Sequence, residues 1–333
     1  MGSPSSTAWH YEHRPGPASD HTTWGYWRIG RPGSTAQTLC CHQKSSSECE
    51  WDACAALARL TGRRHPTTGK LLAMSVQVTI QDGIGRVLID RPDVRNAINI
   101  ETLEAIDAGF AQLSGEGAKA AVLAGRSGAF CSGADLVLVK RAFAAADPAS
   151  VLAPLVDTLH GLIVEMRQLS FPVIAAVEGA AVGAGMGLAL ATDLRVVAAS
   201  AIFLPGYMAI GASPDGGTSY FLTRALGGAR AASVSLRGKP LTSETLAAVG
   251  LADEVVDDGE AILAAEQLAR EVAGTPPLAL VRMRTLVDRA TTQSLDTQLE
   301  LERELVEELW PTRDFREGVG AFLERRKPTF EGR

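Results

Sequence analysis

The chain has 333 residues, 46% hydrophobic and 21% charged, with a formal net charge of −6. That composition allows one large domain or two smaller ones with a sizeable core, and excludes a chain that is disordered throughout. The charge is uneven: residues 1–73 hold 8 Lys and Arg against 5 Asp and Glu, and the remainder 24 against 33. An acidic body argues against general nucleic-acid binding. Its single cysteine, Cys131, argues against a disulfide framework and suits a reducing, cytoplasmic setting.

Residues 1–73 hold four of the five Cys, four of the five Trp and five of the six His. They show little apolar periodicity, so a disordered or non-native leader is expected there. Two other readings compete. Cys40, Cys41, His42, Cys49 and Cys54 could hold zinc, but they lack a Cys-x-x-Cys knuckle. A targeting peptide would need an amphipathic, acid-poor helix, which is not evident, and the first 20 residues contain no apolar signal core. Met74 stands directly before a strand pattern.

Val76–Ile80 and Arg86–Ile89 flank a Gly-containing turn and predict a hairpin. Asn99 predicts the cap of a helix reaching about Leu113, with Leu103, Ile106, Phe110 and Leu113 on one face. Lys119–Ala124, Phe171–Val177, Leu194–Ala198 and the pair Val255-Val256 read as strands. A helix over about 152–169 lies between the first two. Residues 142–153 read as a mobile segment. Strands alternating with helices imply crossover units and a parallel sheet, hence an α/β fold. Beyond Glu260 the pattern is helical: about 260–273, 276–290, 293–309 and 312–325. Pro172–Ala191 is the most membrane-like window, but it is built of Ala, Gly and Val and interrupted by Glu178. A buried strand–turn–helix is the better reading, so no membrane partner is expected.

Two stretches carry the chemistry, Ala129–Leu136 and Ala175–Leu190. Each follows an apolar strand, puts Gly and Ala at the turn, and opens into a helix. Backbone N–H groups at such turns are uncovered by side chains. Two turns facing each other would hold one carbonyl oxygen between two donors, which is an oxyanion hole. No His, Cys, Asp and Glu cluster in the body has metal-ligand spacing, and no Ser-His-Asp set has a nucleophile elbow.

These residues resemble the enoyl-CoA hydratase/isomerase (crotonase) family, over essentially Met74–Arg333. The likeness rests on an ordered set: Asp90–Asn99, Phe130–Leu136, Pro172–Gly179 with the glycine-rich turn, Ala191–Leu194, Pro214–Gly217 and the tail Phe322–Phe330. The resemblance implies a spiral of stacked ββα turns over 74–259 and a C-terminal helical oligomerisation region over 260–333. It implies homotrimers, often paired as dimers of trimers, and an acyl-CoA thioester as substrate. Coenzyme A would enter only as part of that substrate, with no other cofactor and no metal. The carried-over oxyanion donors are the N–H groups of Ala134 and Ala184. Ser132, Gly133 and Asp135 are expected at the adenine end of coenzyme A. Arg95 and Arg325 are expected near its phosphates, and Ala97, Gly185 and Gly187 along the bound thioester.

One part of the family's pattern is missing. Its hydratases use two glutamates, one toward water and one toward the α-carbon. Their positions fall here on Gly187 and Tyr207, and neither offers a carboxylate. Tyr207 is expected to line the acyl pocket or to hydrogen-bond the acyl group. Glu178 reads as a surface or supporting residue, His160 as a packing or surface residue, and Asp193 with Arg195 as a structural ion pair. The carboxylate left nearby is Asp215, which either caps the helix beginning near Thr218 or moves protons as base and acid in turn. The favoured expectation is an isomerase-type proton shift through a stabilised thioester enolate. The alternatives are hydration or other chemistry of the family, and a binding protein without turnover.

Overall fold

A computed structural model of the chain describes residues 10–15, 23–30, 37–43 and 75–333. It divides into two compact units, Met1–Thr68 and Gly69–Arg333. In the first unit β1 (His10–Pro15), β2 (Thr23–Gly30) and β3 (Gln37–Gln43) pair antiparallel in that order. Of the residues considered for zinc, Cys40, Cys41 and His42 fall on β3, while Cys49 and Cys54 lie outside the described residues.

The second unit begins with β4 (Val76–Gln81) and β5 (Ile84–Ile89). They form the expected hairpin, and Asp82 and Gly83 take φ of 53° and 78° in its turn. Two positive φ values in a two-residue loop match the right-handed twist of the strands. Asn99 then caps α1 (Ile100–Gly115), its side chain accepting the N–H of Thr102. Leu103, Ile106, Phe110 and Leu113 are buried on the inner face as their spacing requires.

Three ββα turns follow. Each has a long strand in a six-stranded sheet, a short strand or bridge in a second layer, and then a helix. The first runs β6 (Ala120–Gly125), a bridge at Cys131, and α2 (Leu136–Ala142), followed by α3 (Pro148–Gln168). The second is β7 (Val173–Val177), β8 (Ala180–Val182) and α4 (Ala184–Ala191). The third is β9 (Leu194–Ala198), β10 (Ile202–Leu204) and α5 (Thr218–Leu226). Next come α6 (Gly228–Arg237), β11 (Leu241–Thr242), α7 (Ser243–Ala248) and β12 (Glu254–Val256). The large sheet has the order β12-β9-β7-β6-β5-β4 and is parallel except for the hairpin. The small sheet is β11-β10-β8. Strands β6 and β7 are buried at every residue, as central parallel strands covered on both faces must be.

Helices α8 (Ala261–Val272), α9 (Pro277–Ala290), α10 (Leu295–Glu307) and α11 (Arg313–Glu324) complete the chain, close to the expected spans. Glu178 accepts the N–H groups of Gly259 (3.1 Å) and Ala261 (2.9 Å), placing a negative charge at the start of α8. It supports the fold, as expected. Asp193 and Arg195 are structural too, but not as a pair. Asp193 meets Arg284 at 2.5 Å and Arg167 at 3.5 Å, and Arg195 meets Asp253 at 3.7 Å. Chain adjacency is a poor guide here because residues 193–195 straddle the start of β9. Pro172–Ala191 is a buried strand–turn–helix. Helix α3 is long and apolar enough to cross a membrane by length and composition, yet it turns Leu155, Leu159, Leu162, Ile163 and Met166 into the core. It begins at Pro148, so of the segment 142–153 only residues 143–147 link two helices, and the rest is helical.

Candidate active site

The stacking of consecutive turns sets the first half of the site. Cys131 pairs with Ala181 in a parallel bridge. Beyond the bridge the segments stay close, a Cβ on Gly133 falling 2.8 Å from Val182 O. The two segments are stitched together by Cys131 N–H to Ala180 O (3.1 Å) and Val182 N–H to Cys131 O (2.9 Å). On its other side Ala134 bridges Ile98 through its neighbours, Ile98 N–H bonding Gly133 O and Asp135 N–H bonding Ile98 O. In a parallel bridge the central residue's own N–H points away from its partner. The Ala134 N–H therefore faces the second turn. Ala184 is the first residue of α4, where an N–H has no partner within the helix. The two expected donors thus lie on neighbouring segments, and a Cβ on Gly133 would fall 3.7 Å from Ala184 N.

Glycine makes this approach possible at two positions. Gly133 has φ of +90°, and a Cβ there would lie 2.8 Å from Val182 O and 3.7 Å from Ala184 N. Gly185 packs against Cys131, and a Cβ would meet its carbonyl oxygen at 2.5 Å. Cys131 is wholly buried, which pushes its thiol up to about 12. It fills space and stays protonated.

The rim of the first turn is polar. Ser132 donates its N–H to Arg95 O and its hydroxyl to Val94 O, both at 3.1 Å. Arg95 adopts a left-handed φ of 51° and its side chain is exposed beside this turn. Next to it Asn96, also left-handed and fully buried, ties the segment to the β6 turn by bonds to Arg126 O and Ala129 O. Ala97 is buried below the rim, its carbonyl accepting Arg91. Asp135 caps α2 and pairs with Arg91 at 3.1 Å. Burial alone would push the Asp135 carboxyl up. The Arg91 guanidinium and the N–H groups of Leu138 and Val137 outweigh it and hold the group below the usual range. Arg91 escaped the sequence reading because its partner lies 44 residues away. Arg325 ends α11 with an exposed side chain, and no described contact joins it to the two turns.

The second half of the site comes from the third turn. By the β8–β10 register, Ala181 opposes Phe203 and Val182 opposes Leu204. Tyr207, buried and three residues past β10, therefore lies beside the start of α4. A Cβ on Gly183 would fall 3.8 Å from its ring. The Tyr207 hydroxyl donates to Asp215 Oδ1 at 2.9 Å and lies 3.1 Å from Thr218 Oγ1. A Cβ on Gly187 would lie 2.3 Å from Gly216 O and 3.2 Å from Thr218 Oγ1. Gly187 and Tyr207, the two positions lacking a glutamate, thus converge on the segment Asp215–Thr218. Asp215 is not the side-chain cap of α5: Gly217 is the cap residue, and Asp215 contributes only its carbonyl to the Thr218 N–H. Its carboxylate instead faces Tyr207. His160 reaches this loop as well, Nε2 accepting the Gly216 N–H at 3.3 Å. That contact, across 56 residues, had no local signal. Among the described residues no group of three or more His, Cys, Asp or Glu could hold a metal.

The fold defines an α/β protein of stacked ββα turns. The family profile described as enoyl-CoA hydratase/isomerase matches residues 79–333, and the chain belongs to that family. A Rhodobacter capsulatus protein described as "Probable enoyl-CoA hydratase" is 36% identical over 259 residues, covering 78% of this chain and 98% of that protein. An Escherichia coli K12 protein described as "1,2-epoxyphenylacetyl-CoA isomerase" is 34% identical over 256 residues, covering 76% and 97%. The crystal structure of an enoyl-CoA hydratase from Polaromonas sp. JS666 has a TM-score of 0.73 and 31% identity, covering 77% of this chain and 100% of that one.

Proposed function

We propose that the protein moves a proton between carbons of an enoyl-CoA thioester, as an isomerase does, rather than adding water. The thioester oxygen sits between the Ala134 and Ala184 N–H groups. The Asp215 carboxylate takes a proton from C2 of a 3-enoyl thioester, and the electron pair left behind delocalises onto the oxygen as a dienolate. The two N–H groups stabilise that charge. Asp215 then returns the proton to C4, giving the 2-enoyl isomer with no other reactant and no metal or cofactor beyond the coenzyme A of the substrate. Arg95 and Ser132 hold the coenzyme A end.

The observation that carries this reading is the convergence of Gly187 and Tyr207 on Asp215: one carboxylate stands where a hydratase needs two. The isomerase named among the relatives supports it. The relative named as a hydratase favours hydration as the second reading. We further propose a cytoplasmic homotrimer or dimer of trimers. The deciding experiment follows deuterium uptake from heavy water at C2 and C4 of 3-hexenoyl-CoA, with crotonyl-CoA hydration measured alongside. Exchange that is lost by at least about 10³-fold in Asp215→Asn, with thioester binding kept, is the expected result. Ordinary crotonyl-CoA hydration by the unaltered chain overturns it in favour of hydration. Tight binding without exchange across a thioester panel overturns it in favour of a non-catalytic role.

A further inference from the structure

We infer that Tyr207 is a positioning residue for Asp215, its phenol holding the carboxylate in a single orientation against the second oxyanion turn. The inference rests on the reading of Asp215 as the proton-moving group. It assigns Tyr207 a role toward the enzyme's own carboxylate, not toward the acyl chain.

The geometry is over-determined. The Tyr207 hydroxyl is within hydrogen-bond distance of Asp215 Oδ1 (2.9 Å), Asp215 O (3.2 Å) and Thr218 Oγ1 (3.1 Å). A phenol has one proton to give, and the carboxylate oxygen is the shortest and most strongly accepting partner. Thr218 then gives its own proton to the phenol oxygen. Its alternative acceptor, Gly183 O, is more distant at 3.5 Å. The result is a directed chain, Thr218 to Tyr207 to Asp215, in which each bond polarises the next. Thr218 is fully buried and Tyr207 only 7% exposed, so water competes poorly for these bonds.

Burial first, and then the Asp215 charge, push the Tyr207 phenol well above its ordinary range. It remains a neutral donor wherever Asp215 is ionised. One carboxylate oxygen is thereby committed to the protein. Among the described residues Oδ2 accepts no hydrogen bond, which leaves it for the proton transfer. The chain also ties the carboxylate to the oxyanion turn. The Tyr207 ring lies against Gly183, which immediately precedes the donor Ala184. Base and donor are therefore set by one packed unit, and misplacing a reacting group by an ångström costs about 10²-fold in rate.

The test measures C2 deuterium exchange on 3-hexenoyl-CoA with the full chain for Tyr207→Phe, Asp215→Asn and the double variant. Phe keeps the ring packing on Gly183 and removes only the donor. Tyr207→Phe is expected to lower kcat about 10- to 100-fold with KM within about twofold. In the Asp215→Asn background the same change is expected to add no further loss, since the two act as a unit. Thr218→Val is expected to lower kcat in the same way but less, and Thr218→Ser to restore it, which keeps the test open if Tyr207→Phe folds poorly.

An unchanged kcat in Tyr207→Phe, with Asp215→Asn inactive, overturns the positioning role and leaves Asp215 standing. A raised KM at unchanged kcat overturns it in favour of contact with the acyl group. Full exchange by Asp215→Asn overturns the reading of Asp215 and this inference with it.

Discussion

The two halves of the site are built from different materials. The donors of Ala134 and Ala184 are backbone groups, placed by the register of two stacked turns and uncovered by glycine. The half proposed to move the proton is made of side chains, Tyr207 and Asp215 on the segment between β10 and α5 and Thr218 at the start of α5. The backbone half has little freedom to vary, because the Ala134 N–H follows from its bridge to Ile98 and the Ala184 N–H from the start of α4. The side-chain half can be rewritten one residue at a time. In this chain glycine and tyrosine stand where the family resemblance leads one to expect glutamates, and Asp215 bonds that tyrosine. On the proposed reading the backbone half is kept while a different side chain moves the proton.

If that division is right, breaking the backbone half should cost the most. Gly133→Ala forces a side chain into φ +90° and places its Cβ 2.8 Å from Val182 O. The turn must open, and the Ala134 N–H must swing away from Ala184. C2 exchange is expected to fall about 10²- to 10³-fold, the cost of one oxyanion donor, while circular dichroism stays native. Exchange at the parental rate in Gly133→Ala would show that the donors lie elsewhere.

Gly187→Glu probes the other half by putting back a hydratase carboxylate. The side chain has nowhere to go, because a Cβ would already lie 2.3 Å from Gly216 O and 3.1 Å from its carbonyl carbon. Overpacking of this kind costs about 1–3 kcal/mol, and the displaced loop is the one that carries Asp215. The variant is expected to melt lower, to lose exchange and to gain no crotonyl-CoA hydration. Hydration appearing in Gly187→Glu would mean that position 187 still admits a working carboxylate.

What the sequence reveals follows the same division. The choice of Ala134 and Ala184 as donors came from the family resemblance, while strand–turn–helix spacing and apolar periodicity were enough to place the two glycine-rich turns, the Asn99 cap and the buried face of α1. Those features depend on local backbone preferences and periodicity. The carboxylate side was legible only as an absence at 187 and 207 and a choice at 215, between helix cap and base. The structure removes the cap, since Gly217 takes that place, and shows a Tyr207–Asp215 bond that depends on how a 3-10 turn at Tyr207–Ile210 presents a ring to the next loop. Arg91 with Asp135, Arg284 with Asp193, and His160 with Gly216 were likewise hidden, since partners 44, 91 and 56 residues apart leave no spacing to read. Asp193 with Arg195 shows the converse error, where closeness in the chain suggested a pair that the strand start does not form.

The smallest expected effect tests whether the rim of the first turn is as firmly built as its centre. Asp135 starts α2 by accepting the N–H groups of Val137 and Leu138 and is paired with Arg91, its side chain only 14% exposed. Its carboxyl is held below the usual range in the folded chain, so folding favours the ionised form. That contribution is fully present above the unfolded-state value near 4 and is lost as pH falls through the lower folded value. Asp135→Ala is expected to cost about 1–2 kcal/mol at neutral pH, the range for losing a helix cap. Urea unfolding followed from pH 7 down to about pH 3 should show the gap between parent and variant closing. A gap that stays constant with pH would assign the loss to packing instead of charge. In that case the rim, unlike the donors it surrounds, would not depend on the Arg91 pair at all.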